Sequence, residues 1–205
     1  MAIVAIVEMG EIRVERASGT RLQACGLGAC VGLCLFESFG QAAVLVHVVL
    51  PQTLPPVVGR PAVHPMPGKC ADTALQYALT ELGVSGAETQ RVRAALVGGA
   101  QIFTPAAVSG TESAALSRLE IGQRNVRALK DELARFGITL DAEETGGHGG
   151  RTVTLEAGTG NVWVRPVGMP ERLLVSLGQS LASSALPAAS AAAQPARDKA
   201  ICYGN

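Results

Sequence analysis

Short runs of aliphatic and β-branched residues recur along the chain and predict β-strands. Between some of these runs, apolar residues return every three or four positions, as on one face of an amphipathic helix, and a glycine follows each such segment. This mixture of short strands and helices predicts an α/β or α+β domain with one core. The predicted helices cover residues 71–82 and 126–136, and the predicted strands cover residues 2–7, 11–15, 30–36, 42–50, 92–97, 138–143, 152–156 and 162–165.

The composition changes near the C-terminus. Between residues 182 and 200, nine of nineteen residues are alanine, and most of the others are serine, proline or glutamine. Such a segment contains too little apolar surface to order itself. We therefore predict one folded domain over residues 1–167 and a disordered tail over residues 168–205, with a short alanine-rich helix as the alternative for the tail. Residues 51–67 carry six prolines and predict a surface loop.

Charge and targeting signals narrow the function classes. Lysine plus arginine and aspartate plus glutamate both number 17, and aromatic residues make up 3% of the chain. A neutral chain with few aromatic residues is not expected to bind nucleic acid or an acidic membrane surface. The N-terminal residues lack the basic opening of a secretory signal. The two longest uncharged stretches, residues 22–36 and 173–196, do not predict a transmembrane helix. We therefore expect no membrane insertion. The five cysteines form an odd set without a Cys-x-x-Cys pair, which does not fit a secreted disulfide framework, so we expect a cytoplasmic protein.

Cys30 and His47 form the candidate reactive pair, since they fall on neighbouring predicted strands. If residues 37–40 are a four-residue hairpin loop, opposed residues have numbers adding to 77, which sets Cys30 directly against His47. Opposed residues on one face hold their Cβ atoms about 5 Å apart. A histidine that accepts the proton of a thiol creates the nucleophile of cysteine hydrolases and acyltransferases. In the structural alternative, Cys30 is a small buried apolar residue and His47 is a satisfied core histidine.

The loops around this pair supply further candidates. Gly28 and Ala29 precede the cysteine, and their backbone N–H groups are candidate donors to an oxyanion. Further glycine-rich loops cover residues 98–99, 121–125 and 146–151, and none has the pattern of a phosphate-binding loop. We expect no metal site, because the spacings among Cys25, Cys30, Cys34 and His47 match no common zinc pattern.

Six short motifs, taken in order, resemble the CheD family of chemoreceptor glutamine deamidases. The resemblance runs from about Ile3 to Val167, and the ordered combination is specific although each motif is short. The motifs are Leu27-Gly-Ala-Cys-Val31, His47 with Leu50-Pro51, Gly68-Lys-Cys-Ala-Asp72, Gly98-Gly-Ala100, Ile121-Gly-Gln-Arg-Asn125, and Gly146-Gly with Gly150-Arg151.

The resemblance implies an enzyme that hydrolyses the side-chain amide of selected glutamines on methyl-accepting chemotaxis receptors, giving glutamate and ammonia. It implies Cys30 as the nucleophile, His47 as the proton carrier, and no metal or organic cofactor. It also implies mixed β-sheets layered with helices, similar to the catalytic domain of cytotoxic necrotizing factor toxins. The implied partners are the cytoplasmic helices of the receptors and a CheC-type phosphatase.

Ala24 departs from the family pattern. It stands six residues before the cysteine, where the family carries a threonine that completes the catalytic group. Alanine has no hydroxyl to orient an imidazole, so the departure predicts reduced activity or support from another group, such as a backbone carbonyl. A second hypothesis is therefore a weakly active or inactive adaptor that binds receptors or a CheC-type phosphatase. A third is transfer of the glutamyl group to an amine by the same pair.

Overall fold

The computed structural model of the protein describes residues 3–16, 19–53, 66–102 and 120–179. Within these ranges the chain forms ten strands, two α-helices and one short 3₁₀ helix at Gly86–Arg91. The helices are α1 (Ala71–Leu82) and α2 (Ile121–Arg135). The strands are β1 (Ile3–Ile6), β2 (Ile12–Glu15), β3 (Thr20–Leu27), β4 (Val31–Glu37), β5 (Ala42–Val48), β6 (Val92–Gly98), β7 (Thr139–Thr145), β8 (Arg151–Glu156), β9 (Asn161–Pro166) and β10 (Arg172–Ser176).

The strands form two five-stranded sheets. The central sheet has the order β2-β5-β4-β6-β7, and the outer sheet has the order β1-β3-β8-β9-β10, with β1 as a four-residue edge strand. Both sheets are mixed, because β1 pairs in parallel with β3 and β6 in parallel with β7, whereas the other pairs are antiparallel. The prediction of mixed sheets layered with helices is confirmed at this level.

The three inner strands of the central sheet, β4, β5 and β6, are buried on both faces. Along β5, Val44, Val46 and Val48 pack with the two helices. Ala43 and Leu45 point the other way and pack with residues of the outer sheet. Strands covered on both faces must be apolar at nearly every position, which explains the continuous aliphatic runs of β4, β5 and β6. His47 has the parity of Ala43 and Leu45, so its side chain lies between the two sheets.

All eight predicted strands and both predicted helices are confirmed, with ends displaced by a few residues. Two strands escaped prediction. In β3 the polar residues Arg21 and Gln23 alternate with buried Leu22 and Ala24. This short alternation runs directly into the glycine-containing stretch before Cys30, which hides the strand in the sequence. β10 lies beyond the predicted end of the domain and pairs with β9.

The predicted domain end at Val167 is too early. Leu177, the residue after β10, is fully buried and packs with the core between the sheets. The fold therefore includes the first twelve residues of the predicted tail, up to residue 179. Residues 180–205 of that tail lie outside the described residues, as do residues 54–65 of the predicted proline-rich loop.

The register predicted for the β4–β5 hairpin is wrong by two residues. Opposed residues have numbers adding to 79, so Gly32, not Cys30, faces His47. The turn lies later than predicted because Glu37 belongs to β4, and its carboxylate accepts hydrogen bonds from the backbone N–H groups of Phe39 (3.0 Å) and Gly40 (2.5 Å). A shift of two residues preserves the faces of a strand, so His47 still shares its face with the even-numbered residues of β4.

The N-terminus of α2 packs directly on the backbone that follows β6. A Cβ atom at Gly122 would lie 2.6 Å from the carbonyl oxygen of Gly99 and 2.8 Å from that of Ala100. Gly99 itself has a positive φ of 63°. The close contact is possible because neither position carries a side chain at the point of approach.

We expect Gly122→Ala to lower the free energy of unfolding. Alanine favours a helix over glycine by at most about 1 kcal/mol, whereas overpacking against backbone costs about 1–3 kcal/mol. Urea unfolding measures the net effect. In Gly149→Ala the added Cβ meets nothing within 4 Å, so this matched variant should remain within about 0.5 kcal/mol of the parent. Equal stability of the two variants would show that α2 can shift over Gly99 without cost.

Candidate active site

His47 is held in one orientation by the N-terminal segment. Its side chain is buried, and Nδ1 lies 3.2 Å from the carbonyl oxygen of Val7. A carbonyl oxygen can only accept a hydrogen bond, so Nδ1 carries the proton and Nε2 retains its lone pair. Nε2 is then the nitrogen available to take a proton from a nucleophile.

The segment between β1 and β2 wraps around the histidine. The N–H of Val7 donates to the carbonyl of Gln23 on β3 (2.8 Å), which fixes the start of this segment on the outer sheet. Gly10 turns the chain with a φ of 80°, and its N–H donates to the carbonyl of His47 (2.8 Å). The N–H of His47 in turn donates to the carbonyl of Glu11 (3.1 Å).

The surroundings of His47 favour its neutral form. Burial lowers the pKa of the imidazole from its usual 6.5. The hydrogen bond to Val7 and the negative charge of Glu8 act in the opposite direction, and burial outweighs them. The imidazole is therefore an uncharged base at neutral pH.

Cys30 lies immediately before β4, half-buried at the edge of the core between the sheets. Burial raises the pKa of its thiol, and its own backbone N–H opposes that effect by hydrogen bonding to the sulfur. The resting pair is thus a neutral thiol and a neutral imidazole. Such a pair becomes reactive when the proton moves from sulfur to nitrogen as the nucleophile attacks.

The other described cysteines differ from Cys30 in exposure. Cys34 is fully buried within β4, and burial raises the pKa of its thiol strongly. Cys70 is buried at the start of α1, and burial is also the main cause of its raised pKa. Cys25 is exposed on β3. Cys30 therefore combines partial access with a position beside the layer that contains His47.

Two of the glycine-rich motifs meet at the cysteine. The N–H of Ala100 donates to the carbonyl of Gly28 (2.7 Å), and the N–H of Gly99 donates to the carbonyl of Cys30 (2.8 Å). Gly98 has a φ of 114°, and a Cβ atom there would lie only 2.4 Å from the Cys30 carbonyl oxygen. Gly98 is thus required for the close approach of the two backbones.

The loop between β7 and β8 is attached to the same place. The N–H of Gly146 donates to the carbonyl of Gly98 (2.9 Å), and the N–H of Gln101 donates to the carbonyl of Gly147 (2.8 Å). The Arg151 guanidinium holds this loop by donating to the carbonyl of Gly146 (2.9 Å). A fourth motif reaches the site through Asn125 on α2, which donates to the carbonyl of Ala29 (2.9 Å).

Two adjoining cavities open beside this cluster of loops. Their volumes are about 260 and 210 Å³, and both are lined by Gly99, Gln123 and Gly146. The larger cavity also has Arg127 and Lys130 in its wall. Both cavities border Gly99, whose N–H donates to the Cys30 carbonyl, and neither is lined by Cys30 or His47.

The chain has two further histidines, His64 and His148. His148 is exposed, with Nδ1 3.3 Å from the carbonyl oxygen of Gln101, and His64 lies outside the described residues. Among the described residues, no three acidic, histidine or cysteine side chains cluster in a way that could hold a metal ion. Neither helix of the described ranges combines the length and apolarity needed to cross a bilayer.

Ala24 is fully buried on β3, opposite Val153, in the core between the sheets. It provides no polar atom to the imidazole, and the hydrogen bond that orients His47 comes instead from the Val7 carbonyl. No sequence motif marks this group, because any residue supplies a carbonyl and the contact depends on the path of the chain. The positive-φ glycine at position 10 is the one local signal of that path.

Comparisons with known proteins identify the family. A family model described as CheD chemotactic sensory transduction matches residues 51–166. The probable chemoreceptor glutamine deamidase CheD of Pyrococcus abyssi is 38% identical over 161 residues, covering 78% of this chain and 90% of that protein. The chemoreceptor glutamine deamidase CheD of Thermotoga maritima is 36% identical over 168 residues, covering 82% and 95%. The chain belongs to the CheD family, which confirms the resemblance seen in its motifs.

The segment matched by the family model begins after both Cys30 and His47. Among solved structures, YlmD from Geobacillus stearothermophilus matches with a TM-score of 0.37 and 11% identity, covering 66% of this chain and 50% of that one.

We expect Ala24→Thr to leave the imidazole of His47 unchanged, because Nδ1 already has its acceptor. Nitrogen NMR of the histidine rings near neutral pH should show the proton on Nδ1 in both proteins. The added hydroxyl enters an apolar core without a partner, so the free energy of unfolding should fall by about 1–3 kcal/mol. Ala24→Val, of similar shape, separates the effect of size from that of the hydroxyl. A changed tautomer in Ala24→Thr would contradict the role given to Val7.

Proposed function

We propose that this protein is a chemoreceptor glutamine deamidase that converts selected glutamines of methyl-accepting chemotaxis receptors to glutamate, with release of ammonia. The observation that carries the proposal is the orientation of His47, whose Nδ1 is bonded to the Val7 carbonyl and whose Nε2 is left with a lone pair. This base lies in the layer that Cys30 borders, in a chain of the CheD family. The names of its relatives supply the class of substrate.

In the first half of the proposed reaction, Sγ of Cys30 attacks the side-chain amide carbon of glutamine. The thiol proton passes to Nε2 of His47, and the electron pair of the C=O bond moves to oxygen. The tetrahedral intermediate then collapses, the C–N bond breaks, and His47 gives its proton to the departing nitrogen. The products of this half are ammonia and a γ-glutamyl thioester on Cys30.

In the second half, water attacks the thioester carbon while His47 takes one of its protons. Collapse of the second tetrahedral intermediate breaks the C–S bond, and the sulfur leaves as a thiolate that recovers a proton from the imidazolium. Glutamate is released and the neutral pair is restored. Each proton that moves is carried by His47, so the scheme requires no metal or organic cofactor.

The developing oxyanion is proposed to be stabilised by backbone N–H groups of the loop that contains Gly28, Ala29 and Cys30. In a trans peptide the C=O and N–H bonds point in opposite directions. The carbonyl of Gly28 accepts a hydrogen bond from Ala100, and the carbonyl of Ala29 accepts one from Asn125. The N–H groups of the same two peptide bonds, which belong to Ala29 and Cys30, therefore point away from those partners. Fixed donors of this kind stabilise charge without reorganisation during the reaction.

The partners proposed with this activity are the cytoplasmic helices of the receptors and a CheC-type phosphatase, in the cytoplasm. Similarity of the fold to the cytotoxic necrotizing factor catalytic domain also stays a prediction. The adaptor hypothesis rested on the missing hydroxyl at Ala24, and the Val7 carbonyl weakens it by supplying another acceptor for Nδ1.

We expect Cys30→Ala to abolish deamidation of a purified receptor cytoplasmic domain. Hydrolysis of an amide to an acid adds about one dalton for each glutamine, which intact-mass spectrometry measures, whereas transfer to an amine would add the mass of that amine. Cys25→Ala, at an exposed position on β3, is the matched control and should retain activity. Continued turnover by Cys30→Ala would show that another residue is the nucleophile. Receptor binding without a mass change in the parent protein would favour the adaptor.

The pH dependence of kcat/KM should reflect the buried histidine. Because protonated His47 cannot accept the thiol proton and its pKa is lowered, the acid limb should lie below the 6.5 of an ordinary imidazole. Glu8→Gln removes a charge that raises this pKa, so the limb should move to still lower pH. Glu15→Gln, opposite Ala43 and four residues from Glu11, whose carbonyl accepts a hydrogen bond from the His47 N–H, should leave it in place. Movement of the limb to higher pH in Glu8→Gln would contradict this assignment.

A further inference from the structure

Asn125 occupies an unusual place at the end of the β4–β5 ladder. It is the fifth residue of α2, its side chain is fully buried, and its Nδ2 group donates to the carbonyls of Ala29 (2.9 Å) and Val49 (3.0 Å). The strand pairing ends at Val31 and Val48, so both acceptors lie just beyond the last pair. One amide group therefore connects the two chain segments where their own hydrogen bonding stops.

These two segments carry the candidate catalytic residues. Ala29 precedes Cys30, and Val49 lies two residues after His47. A single side chain that bonds to both carbonyls fixes the separation of the nucleophile loop from the histidine strand. We infer that Asn125 is a positioning residue, which holds the Ala29–Cys30 peptide in the orientation that the reaction requires; this inference rests on the proposed function.

The effect on the peptide follows from its planarity. The described residues contain no cis peptide bond, and in a trans peptide the N–H points away from the C=O. With the Ala29 carbonyl directed at α2, the N–H of Cys30 is directed away from it, on the side of its own sulfur. That N–H is the group that opposes the rise of the thiol pKa caused by burial.

Among the described residues, Asn125 also provides the one hydrogen bond to the carbonyls of residues 28–30 that comes from a side chain. The neighbouring carbonyls of Gly28 and Cys30 are held by the backbone N–H groups of Ala100 and Gly99, which substitution cannot remove. The Ala29 carbonyl is held by a side chain. Moreover, Oδ1 of Asn125 is buried without a hydrogen-bond partner, so the residue bears an unpaired acceptor while both of its donor hydrogens are used.

Two variants test the inference. Asn125→Asp keeps the shape but puts an oxygen in place of Nδ2, against two carbonyl oxygens, whereas Asn125→Leu removes both donors without burying a charge. We expect each to reduce kcat by about tenfold or more with KM within about twofold, as for loss of a group that acts in the transition state. We also expect alkylation of Cys30 by iodoacetamide at mildly alkaline pH to slow by about fivefold, because less thiolate is present.

Alkylation is followed peptide by peptide with mass spectrometry, and Cys25 in the same molecules provides an internal reference. The matched control is Thr89→Val, which removes another buried hydrogen bond, from Thr89 Oγ1 to the Phe136 carbonyl (2.8 Å). Thr89 precedes β6, and about six residues of strand, or roughly 20 Å, separate it from Gly98 beside Cys30. This variant should lose stability and retain both the kcat and the alkylation profile of the parent.

A folded Asn125→Leu with the kcat and the Cys30 alkylation profile of the parent would overturn the inference. Unfolding of both Asn125 variants while Thr89→Val stays folded would also overturn it, because the residue would then serve the stability of the fold. The alkylation readout is independent of turnover. If the parent protein fails to deamidate receptors but the Cys30 profile still shifts in the variants, the proposed function fails and the role of Asn125 stands.

Discussion

Burial of the inner strands of the central sheet on both faces is the constraint on which the rest of the structure depends. Helices cover one face and the outer sheet covers the other, so β4, β5 and β6 have almost no position where a polar side chain meets water. A histidine on such a strand needs a hydrogen-bond partner inside the protein, because an unpaired buried polar group is costly. The segment after β1 supplies this partner to His47 through a backbone carbonyl.

The same burial determines the protonation state of the pair. In exposed cysteine–histidine pairs the ion pair can be stabilised by water, but here burial lowers the pKa of His47 and raises that of Cys30. Both shifts favour the uncharged forms. A thiol in its neutral form reacts slowly with oxidants and alkylating reagents, since the thiolate is the reactive species.

Most of the fold could be predicted from local pattern. Aliphatic runs located eight strands, and the return of leucines at helical spacing located both helices. β3 was missed because it merges into a glycine-containing segment. β10 was missed because it lies beyond residue 167, the predicted end of the domain. The hairpin register failed for a local reason, since the Glu37 carboxylate takes part in the turn and β4 ends at residue 37, one residue later than predicted.

The site was predictable as far as side chains and motifs specify it. Cys30 and His47 were predicted from residue type and strand parity, and the parity does not change with the corrected register. A backbone carbonyl was predicted as one substitute for the missing hydroxyl at Ala24, but Val7 could not be identified as its source, because a backbone acceptor leaves no trace in residue identity. Asn125 was visible within a motif, but its two acceptors are 76 and 96 residues away in the sequence, and tertiary structure alone brings them together.

The short edge strand β1 is followed directly by Val7, whose carbonyl orients His47. β1 has four residues, pairs on one side only, and leaves Ile3 and Val4 more than half exposed. Edge elements with few buried contacts open at lower free energy than the core. Opening of β1 would release Val7 and free the imidazole to rotate while the two-sheet core stayed folded. Heat inactivation should then begin below the temperature of global unfolding, with the N-terminal strand as the thermal limit of the enzyme.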